Sequence, residues 1–361
     1  MSGGGKMHIL DNPQAWAEFD RAGMLQQVSG LPEQCQRAWE DALRYTLPSD
    51  YRGVKNVLIL GMGGSAIGGD LAAAIARYES PCPIAVCRDY RIPSWVGPET
   101  LVIASSYSGN TEETLAAFHQ ALEAKARCVA VTTGGKLGSL AEEKGVPLWL
   151  INYQGQPRSA IGYSLLYLLR ILEQAGLVEG KTGEVGKAVV LMKELRERIK
   201  PEVALEENPA KKLALELHGA IPVVYGPGFL APVAKRWKGQ FNENSKNWSF
   251  YEELPEAHHN AVLGYPNPAE SKGKLIVLLL NSSLEHPRHE ARLRITEEVL
   301  AMEGVPYRSV QVEGDNFLEQ ILWSVHFGDF VSYYLAILNK ADPQSVAVID
   351  YIKRRLAGLG G

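Results

Sequence analysis

The stretch Leu101-Val-Ile-Ala-Ser-Ser-Tyr-Ser-Gly-Asn-Thr-Glu-Glu-Thr-Leu115 is the part of the sequence that decides the fold. Its first apolar residues predict a buried strand, and Glu112 to Ala117 predicts the start of a helix. Hydroxyl-bearing residues and a glycine fill the turn between them. A short turn of this kind is typical of an α/β fold with a parallel sheet.

The same turn predicts a phosphate site. Free backbone N–H groups lie at the positive end of a helix dipole, which suits a phosphate dianion. We expect the side chains of Ser106, Ser108 and Thr111 to bind the phosphate, with Gly109 allowing the backbone to approach it. The alternative is an ordinary capped helix with Asn110 or Thr111 at the N-cap, but a cap needs only one such side chain.

The composition limits the classes of function. The chain has 361 residues, of which 46% are hydrophobic and 22% charged, and its formal net charge is −4. This length favours two domains. The charge balance gives no reason to expect nucleic acid or a membrane surface as a partner, so any basic site should be local and hold a small anionic molecule.

Several features predict a cytoplasmic protein. We find no apolar run that would span a bilayer, and Met1–Lys6 lacks the apolar core of a signal peptide. The glycines of that segment suggest a disordered end or an expression remnant. The cysteine spacing matches neither a metal site nor a disulfide framework, which favours buried thiols in a reducing compartment. The four cysteines are Cys35, Cys82, Cys87 and Cys128.

Strands and helices alternate through the first half of the chain. A polar, helical lead-in covers 1–45, and a first domain that binds the phosphate covers 46–180. A helix is expected at Leu71 to Ala76, after a glycine-rich segment. Strands are expected at 54–60, 84–86, 101–104, 128–132 and 147–151.

The pattern then starts again. Residues 181–218 read as charged linker helices, and 219–361 as a second domain that ends in a C-terminal helix. Ile221–Arg236 echoes the strand and glycine turn at 57–67, and Leu275–Ser283 echoes the opening stretch. We interpret this as a diverged duplication: two tandem, doubly wound parallel-sheet domains of flavodoxin-like topology, with helices on both faces. Because the second copy has fewer hydroxyls, only the first should bind the phosphate, at the carboxyl ends of its strands.

A nicotinamide-dependent oxidoreductase is a competing interpretation. Gly61-Met-Gly-Gly-Ser-Ala66 follows a strand and nearly matches the dinucleotide fingerprint, and Asp89 follows the next strand, where an acid could hold a ribose. A separate hydroxyl-rich phosphate turn is not needed for dinucleotide binding, and the glycines could serve only helix–strand packing.

The segment Gly239–Asn260 is dense in polar and aromatic residues and contains candidate acid–base groups. A carboxylate such as Glu243 can act as a general base, and a histidine such as His258 or His259 can move a second proton. Each could also be structural. His286 and His289, with these histidines, invite a zinc proposal, but the usual ligand motifs are missing and a solvated helix start explains them better.

Arg158 precedes an apolar helix, where its charge opposes the helix dipole. An anionic ligand or intermediate nearby would relieve that repulsion. A solvated loop arginine is the alternative.

Five motifs together resemble the bifunctional phosphoglucose/phosphomannose isomerase family, whose members contain two sugar-isomerase domains. They cover nearly the whole chain, from about Asp41 to its end, in the family's order. The motifs are Gly61–Ser65, Ser106–Thr111, Pro157-Arg158, Asn242–Lys246 with His259 downstream, and Asp342-Pro343 followed by Lys353.

The resemblance implies an aldose–ketose isomerase that interconverts glucose 6-phosphate, and mannose 6-phosphate, with fructose 6-phosphate through a cis-enediolate. It implies no cofactor and no metal. Glu243 would carry the proton between C1 and C2, Arg158 would stabilise the enediolate, and Lys353 would assist at the ring oxygen. His259, favoured over His258 by motif spacing, would open the ring from the partner subunit of a homodimer. The phosphate ligands would be Ser65, Ser106, Ser108 and Thr111, with Gly64 and Gly109.

One departure concerns mannose phosphate: this chain has Gln344 and Ser345 where the family often has a threonine. A non-catalytic sugar-phosphate sensor and the isomerase part of a glucosamine-phosphate synthase are further alternatives. The synthase would need an amidotransferase domain with an N-terminal cysteine, which Met1-Ser2 does not supply. A sensor would not need Glu243, His259 and Arg158 together.

Overall fold

The computed structural model describes residues 7–358. The predicted lead-in is helical, with two 3-10 turns followed by α1 (Met24–Ser29) and α2 (Leu31–Ala42). The segment Met1–Lys6, for which the sequence suggests disorder or an expression remnant, lies outside the described residues, as does the end of the chain from residue 359.

The first sheet consists of five parallel strands in the order β2-β1-β3-β4-β5. Each predicted strand is present, and the order is that of a flavodoxin-like sheet. The strands are β1 (Asn56–Leu60), β2 (Ile84–Cys87), β3 (Thr100–Ser105), β4 (Arg127–Thr132) and β5 (Leu148–Leu150), and the helices are α3 (Gly63–Ala76), α4 (Glu112–Glu123), α5 (Gly135–Lys144) and α6 (Ile161–Gln174).

Helix α3 begins at Gly63 instead of Leu71, so the sequence-based boundary was wrong by eight residues. The glycine-rich segment is the first half of the helix. Glycine is a weak helix former, but here it allows close packing: a Cβ on Gly68 would lie 2.6 Å from the carbonyl oxygen of Ser164 in α6. Tertiary packing therefore overrides local propensity and sets the start of α3 next to the phosphate turn.

A second parallel sheet follows α7 (Thr182–Ile199) and α8 (Pro209–Leu217), in the order β7-β6-β8-β9. The fold class is confirmed: two parallel sheets of related topology carry helices on both faces. The edge strand β7 was not predicted, because it lies within the polar segment that we interpreted only as candidate chemistry. The elements are β6 (Ile221–Pro227), α9 (Ala231–Glu243), β7 (Phe250–Leu254), β8 (Leu275–Asn281), α10 (Pro287–Glu303) and β9 (Tyr307–Gln311).

Helix α11 (Phe317–Leu338) packs against α7, α8 and α9 at the centre of the molecule. It is long and apolar enough to cross a membrane, but 94% of its most apolar window is buried inside the protein, as in a core helix. Helix α12 (Ala347–Ala357) follows, and its described side chains from Ala347 to Leu356 are exposed. Helices α9 and α3 contact each other between the sheets, which positions the site described next.

Candidate active site

The turn that follows β3 brings three of the four predicted phosphate hydroxyls together. Ser106 Oγ donates to Thr111 Oγ1 across the turn at 3.0 Å. Ser65, in the first turn of α3, accepts a hydrogen bond from the backbone N–H of Tyr107 at 3.2 Å. Ser65 and Ser106 are buried, and Ser108 is exposed at the mouth of the turn.

The geometry argues against the alternative that this turn is only a helix cap. Thr111 occupies the N-cap position of α4, but its hydroxyl faces Ser106 instead of the helix. Ser108 Oγ accepts from the backbone N–H of Asn110, which precedes the helix. Within residues 7–358 no side chain caps the first turn of α4 or of α3. Two helix N-termini therefore keep free N–H groups beside the hydroxyls, an arrangement that suits an anion.

The two glycines expected at the phosphate have packing roles. Gly109 has a φ of +66°, and a Cβ there would overlap the carbonyl group of Gly134. A Cβ on Gly64 would lie 2.8 Å from the carbonyl oxygen of Pro157. Gly64 thus allows the start of α3 to touch the segment that carries Arg158, which connects the phosphate turn to the next group of residues.

Arg158 is deeply buried and rigidly held in a 3-10 turn, Pro157–Ser159. Its Nε donates to Asn244 Oδ1 at 2.8 Å, and its Nη2 donates to the carbonyl oxygen of Pro343 at 2.5 Å. Its Nη1 lies 3.4 Å from Glu243 Oε2. Only 3% of the Arg158 side chain is exposed, against 33% for Glu243, so the carboxylate is the member of the pair that can reach a ligand.

Burial lowers the pKa of Arg158, and the neighbouring Glu243 carboxylate opposes that shift. Because only 3% of its side chain is exposed, Arg158 is not the solvated loop arginine that we considered. A buried guanidinium needs anionic or carbonyl partners to offset its desolvation. The three partners above supply them and fix the guanidinium plane before a substrate arrives.

A second buried ion pair, between Arg236 and Asp329, contacts the backbone of Arg158. Arg236 Nη2 donates to Asp329 Oδ2 at 2.7 Å and to the backbone carbonyl of Arg158 at 3.3 Å. Gln240 Nε2 donates to Asp329 Oδ1 at 2.7 Å. Burial raises the pKa of Asp329, and Arg236 counters the shift. Sequence reasoning missed these residues, although Arg236, Gln240 and Glu243 follow i, i+4, i+7 spacing on one face of α9, a signal that was available.

A cavity of about 240 Å³ opens where these elements meet. Its lining includes Gly63 and Gly64 of α3, and Arg158 and Glu243. The cavity joins the N-terminus of α3, which carries Ser65 one residue further on, to the candidate base. The remaining lining residues are Ile67, Arg88, Lys235, Arg236, Lys238, Gly239, Gln240 and Tyr251.

The neighbouring histidines have different surroundings. His258 Nε2 contacts Thr296 Oγ1 at 2.8 Å, and Arg292 Nη1 contacts its Nδ1 at 3.0 Å. Burial and the charge of Arg292 lower the pKa of His258. His259 is exposed, and it does not line the cavity that holds Glu243 in its own chain. His286 Nδ1 accepts from the backbone N–H of Arg288 as the N-cap of α10, which is the helix start that we expected.

In the C-terminal motif, Pro343 and Gln344 are held by hydrogen bonds, whereas Lys353 is exposed. Pro343 accepts the bond from Arg158, and Gln344 is held by Gln156 Nε2 at 3.1 Å and by its own bond to the Ala22 carbonyl at 2.9 Å. Ser345 lies in the wall of a groove that also includes Glu243. Lys353 is exposed on α12, and the structure does not bring it to the cavity.

The residues behind the dinucleotide interpretation have local roles in the structure. A Cβ on Gly61 would lie 2.9 Å from the carbonyl oxygen of Ser105, so this glycine serves the packing of β1 against the neighbouring strand β3. Asp89 is exposed, and its carboxylate accepts from the adjacent Tyr90 N–H at 2.6 Å.

Comparisons with known proteins place the chain in a family. It is 38% identical over 335 residues to the bifunctional phosphoglucose/phosphomannose isomerase of Caldicellulosiruptor bescii, covering 92% of this chain and 99% of that protein. The chain belongs to the bifunctional phosphoglucose/phosphomannose isomerase family. The Aquifex aeolicus protein of that name is 35% identical over 89% of this chain and 95% of its own length. Residues 206–356 match the family model of the bacterial phospho-glucose isomerase C-terminal SIS domain.

A solved structure shows the same fold. A glucose-6-phosphate isomerase like protein from Thermus thermophilus superimposes with a TM-score of 0.62 at 21% sequence identity. The superposition covers 96% of this chain and 99% of that one. The two-sheet architecture is therefore shared over nearly the whole chain.

Proposed function

We propose that this chain interconverts glucose 6-phosphate and mannose 6-phosphate with fructose 6-phosphate. The observation that carries the proposal is the buried Arg158 held 3.4 Å from the partly exposed Glu243 carboxylate, in a cavity that begins at the uncapped N-terminus of α3. Membership in the family supports the substrate and the reaction.

The sugar 6-phosphate binds at the turn after β3, where Ser65, Ser106, Ser108 and Thr111 provide hydroxyls. The N-termini of α3 and α4 add free backbone N–H groups and favourable dipoles. Because this anchor is remote from the reacting carbons, its binding energy can position them.

Glu243 transfers the proton between C1 and C2. Its carboxylate removes the C2 proton of the open-chain aldose, and the electron pair moves toward the C1 oxygen to give the cis-enediolate. The guanidinium of Arg158, fixed by Asn244 and Pro343, stabilises the developing negative charge. The hydroxyl proton on the C2 oxygen passes to the C1 oxygen. The C2–O bond then becomes the ketone carbonyl, and the C1=C2 electron pair takes the proton from the protonated Glu243 at C1.

Both C2 epimers can use the same base. Rotation about C2–C3 of the open-chain intermediate presents either face of C2 to Glu243, so glucose and mannose phosphates need no second catalytic group. This chain has Gln344 and Ser345 where the family often has a threonine, and Ser345 lines the groove that also includes Glu243.

Ring opening requires a group that Glu243 does not supply. We assign it to His259, which is exposed and therefore able to enter the site of a second subunit in a homodimer. His258 is held by Thr296 and Arg292 and serves a structural role. Lys353 is also exposed, on α12. It assists at the ring oxygen when α12 lies against an active site.

Mixed dimers test this arrangement. Combining inactive Glu243→Gln with inactive His259→Ala should restore part of the activity, because one site of each mixed dimer would contain both intact groups. If mixed dimers form and show no activity, Glu243 and His259 act in the same subunit's site. His258→Ala should retain turnover, and loss of turnover there alone would exchange the roles of the two histidines.

We place the enzyme in the cytoplasm, in the glycolytic and gluconeogenic exchange of hexose phosphates, and the unpaired state of all four cysteines agrees with a reducing compartment. Coupled assays of the purified protein with fructose, glucose and mannose 6-phosphates test the function. Turnover of glucose and mannose phosphates supports it. Tight binding without turnover would instead identify a sugar-phosphate sensor.

A further inference from the structure

The turn that carries Arg158 joins α6 at a junction that cannot cap itself. Ala160 occupies the N-cap position of α6, and an alanine has no side-chain oxygen to accept the first N–H groups of the helix. Ser159 and Gly162, on either side of it, are buried. Their backbone groups therefore need hydrogen-bond partners from another part of the protein.

Gln34, in the N-terminal helix α2, supplies two of these partners. Its Nε2 donates to the backbone carbonyl of Ser159 at 2.7 Å, and its Oε1 accepts the backbone N–H of Gly162 at 2.8 Å. One side-chain amide thus bridges the junction, although 125 residues separate Gln34 from Ser159 along the chain. Gln34 is 1% exposed, and a buried amide with both ends bonded is held rigidly.

The packing of α2 against α6 leaves no room for the amide to move. A Cβ on Gly162 would lie 2.8 Å from Gln34 Oε1 and 3.1 Å from Cys35 Sγ, so the glycine is what lets the two helices approach here. A displaced amide would take a partner from a buried carbonyl group and a buried N–H, which is costly. The backbone that follows Arg158 is therefore fixed by Gln34.

Two further contacts connect the N-terminal lead-in to the surroundings of Arg158. Gln27 Oε1 accepts the backbone N–H of Gln156 at 3.1 Å, directly before the turn. Gln344, which follows the carbonyl acceptor of the Arg158 guanidinium in the chain, donates to the backbone carbonyl of Ala22 at 2.9 Å. The lead-in therefore contacts both the turn and the segment that holds its guanidinium.

We propose that Gln34 is a positioning residue for the isomerisation and that it acts through Arg158. By fixing the turn, it holds the guanidinium where the negative charge of the enediolate develops. Gln34 does not line the cavity, so its effect on a bound ligand is indirect. This role rests on the proposed function, in which Arg158 stabilises that charge. It makes the lead-in part of the catalytic apparatus, although the family motifs begin only at about Asp41.

The test compares two ligands in calorimetric binding to the full chain. One is fructose 6-phosphate, and the other is a five-carbon phosphorylated sugar acid, whose carboxylate carries a negative charge as the enediolate does. Gln34→Met keeps the length of the side chain and removes both hydrogen bonds. It should weaken binding of the sugar acid about tenfold and binding of fructose 6-phosphate less than about threefold, because the carboxylate depends more on the guanidinium.

Steady-state assays of the same variant should show a matching split. We expect kcat to fall about 10- to 100-fold, because a small misplacement of Arg158 weakens stabilisation of the enediolate. KM should stay within about threefold of the wild-type value, because Gln34 does not contact the phosphate turn. A purely structural residue would lower the amount of folded protein and leave the ratio of the two affinities unchanged.

Gly162→Ala tests the same contact from the other side. The added methyl group would push the Gln34 amide away without deleting it, and alanine favours the helix more than glycine does. This variant should therefore reproduce the change in the affinity ratio, and it carries the test if Gln34→Met does not fold.

Thr182→Val is the matched control. It removes the acceptor of the Trp39 Nε1–H, a hydrogen bond of 3.3 Å that holds the same helix α2 to α7 instead of to the Arg158 turn. The affinity ratio and kcat should both stay at their wild-type values.

A wild-type affinity ratio in folded Gln34→Met or in folded Gly162→Ala would overturn the proposal. Because binding is measured without turnover, the positioning role and the proposed function fail separately. A chain that isomerises sugar phosphates and keeps the wild-type ratio in these variants retains the function and loses the positioning role. A chain that does not isomerise them, but whose affinity for the sugar acid depends on Gln34, retains the positioning of Arg158 and loses the function.

Discussion

The two sheets differ at the same structural position, the turn that follows the third strand along the chain of each sheet at its carboxyl edge. At the carboxyl edge of the first sheet, the turn between β3 and α4 carries hydroxyls, and the start of α3 is left uncapped by side chains of the described chain. At the matching edge of the second sheet, the turn between β8 and α10 carries Glu285, whose Oε1 accepts the backbone N–H of Phe229 at 2.8 Å. Glu285 lies four residues beyond β8, as Gly109 lies four residues beyond β3.

Glu285 thus places a carboxylate where the first copy would place a phosphate. Its side chain is only 5% exposed, and a Cβ on Gly228 would overlap its carboxylate. A carboxylate at the start of a helix is favourable for the same reason that a phosphate is. The comparison teaches that the same topology can leave a helix start uncapped or supply a carboxylate there, depending on one turn. The anion at the first edge belongs to the proposed function.

The largest expected effect separates the two carboxylates Glu243 and Glu285. Glu243→Gln should lower kcat by about 10²–10⁴-fold, because it removes the group that carries the proton, while sugar-phosphate binding survives. Glu285→Gln should leave kcat within about threefold of the wild-type value, since Glu285 does not line the cavity that holds Glu243. Steady-state assays on fructose 6-phosphate measure both.

The hydroxyl turn after β3 gives the next largest effect. Ser108→Ala and Thr111→Ala each delete a contact to a charged oxygen worth about 1.5–3 kcal/mol, so KM should rise about 10- to 100-fold with a smaller change in kcat. Ser283→Ala, in the corresponding turn of the second sheet, should leave KM unchanged. Normal substrate binding by both first-copy variants would reduce that turn to a structural connection.

Removing the internal anion should affect stability instead of catalysis. Glu285→Ala leaves the buried N–H of Phe229 without its acceptor, so we expect the free energy of unfolding to fall by about 1–3 kcal/mol. Glu285→Gln keeps an acceptor and should cost less. Urea unfolding of the two variants checks the order. If Glu285→Ala were as stable as the wild type, the hydrogen bond from the Phe229 N–H to the Glu285 carboxylate would not stabilise the second sheet's edge.

The last prediction concerns acid stability, which the comparison assigns to neither edge. Burial lowers the pKa of His326 in α11 to about 3, below its unfolded value of 6.5. The unfolded chain therefore binds the proton first, so this contribution to stability is complete above pH 6.5 and is lost as the pH falls toward 3. His326→Leu should flatten the pH dependence of the free energy of unfolding in that range. An unchanged slope would assign it to other groups.

The sequence predicted those parts of the fold and site that depend on local patterns. The strand, hydroxyl turn and helix around Ser106 are close in sequence, and each strand of the first sheet has its own apolar run. The link from Arg158 to Glu243 came instead from resemblance to a family, because 85 residues separate them along the chain.

The misses have a common physical cause, which is packing between distant segments. The start of α3 depends on contact between Gly68 and Ser164, and the Arg236–Asp329 pair joins α9 to α11. The role of Glu285 requires knowing that its turn meets Gly228. No local pattern in the chain reveals these pairings. The spacing of Arg236, Gln240 and Glu243 does indicate that they share one face of α9, but it does not identify their partners.

The central claim is that the substrate's phosphate binds at the turn after β3 of the first sheet and that Glu243 moves the proton between C1 and C2. The most direct test incubates each protein with fructose 6-phosphate in D₂O and follows deuterium at C2 of the glucose 6-phosphate by NMR. The wild-type protein and Glu285→Gln should incorporate deuterium, whereas Glu243→Gln should bind the sugar phosphate and incorporate almost none. Incorporation by Glu243→Gln at the wild-type rate would contradict the account.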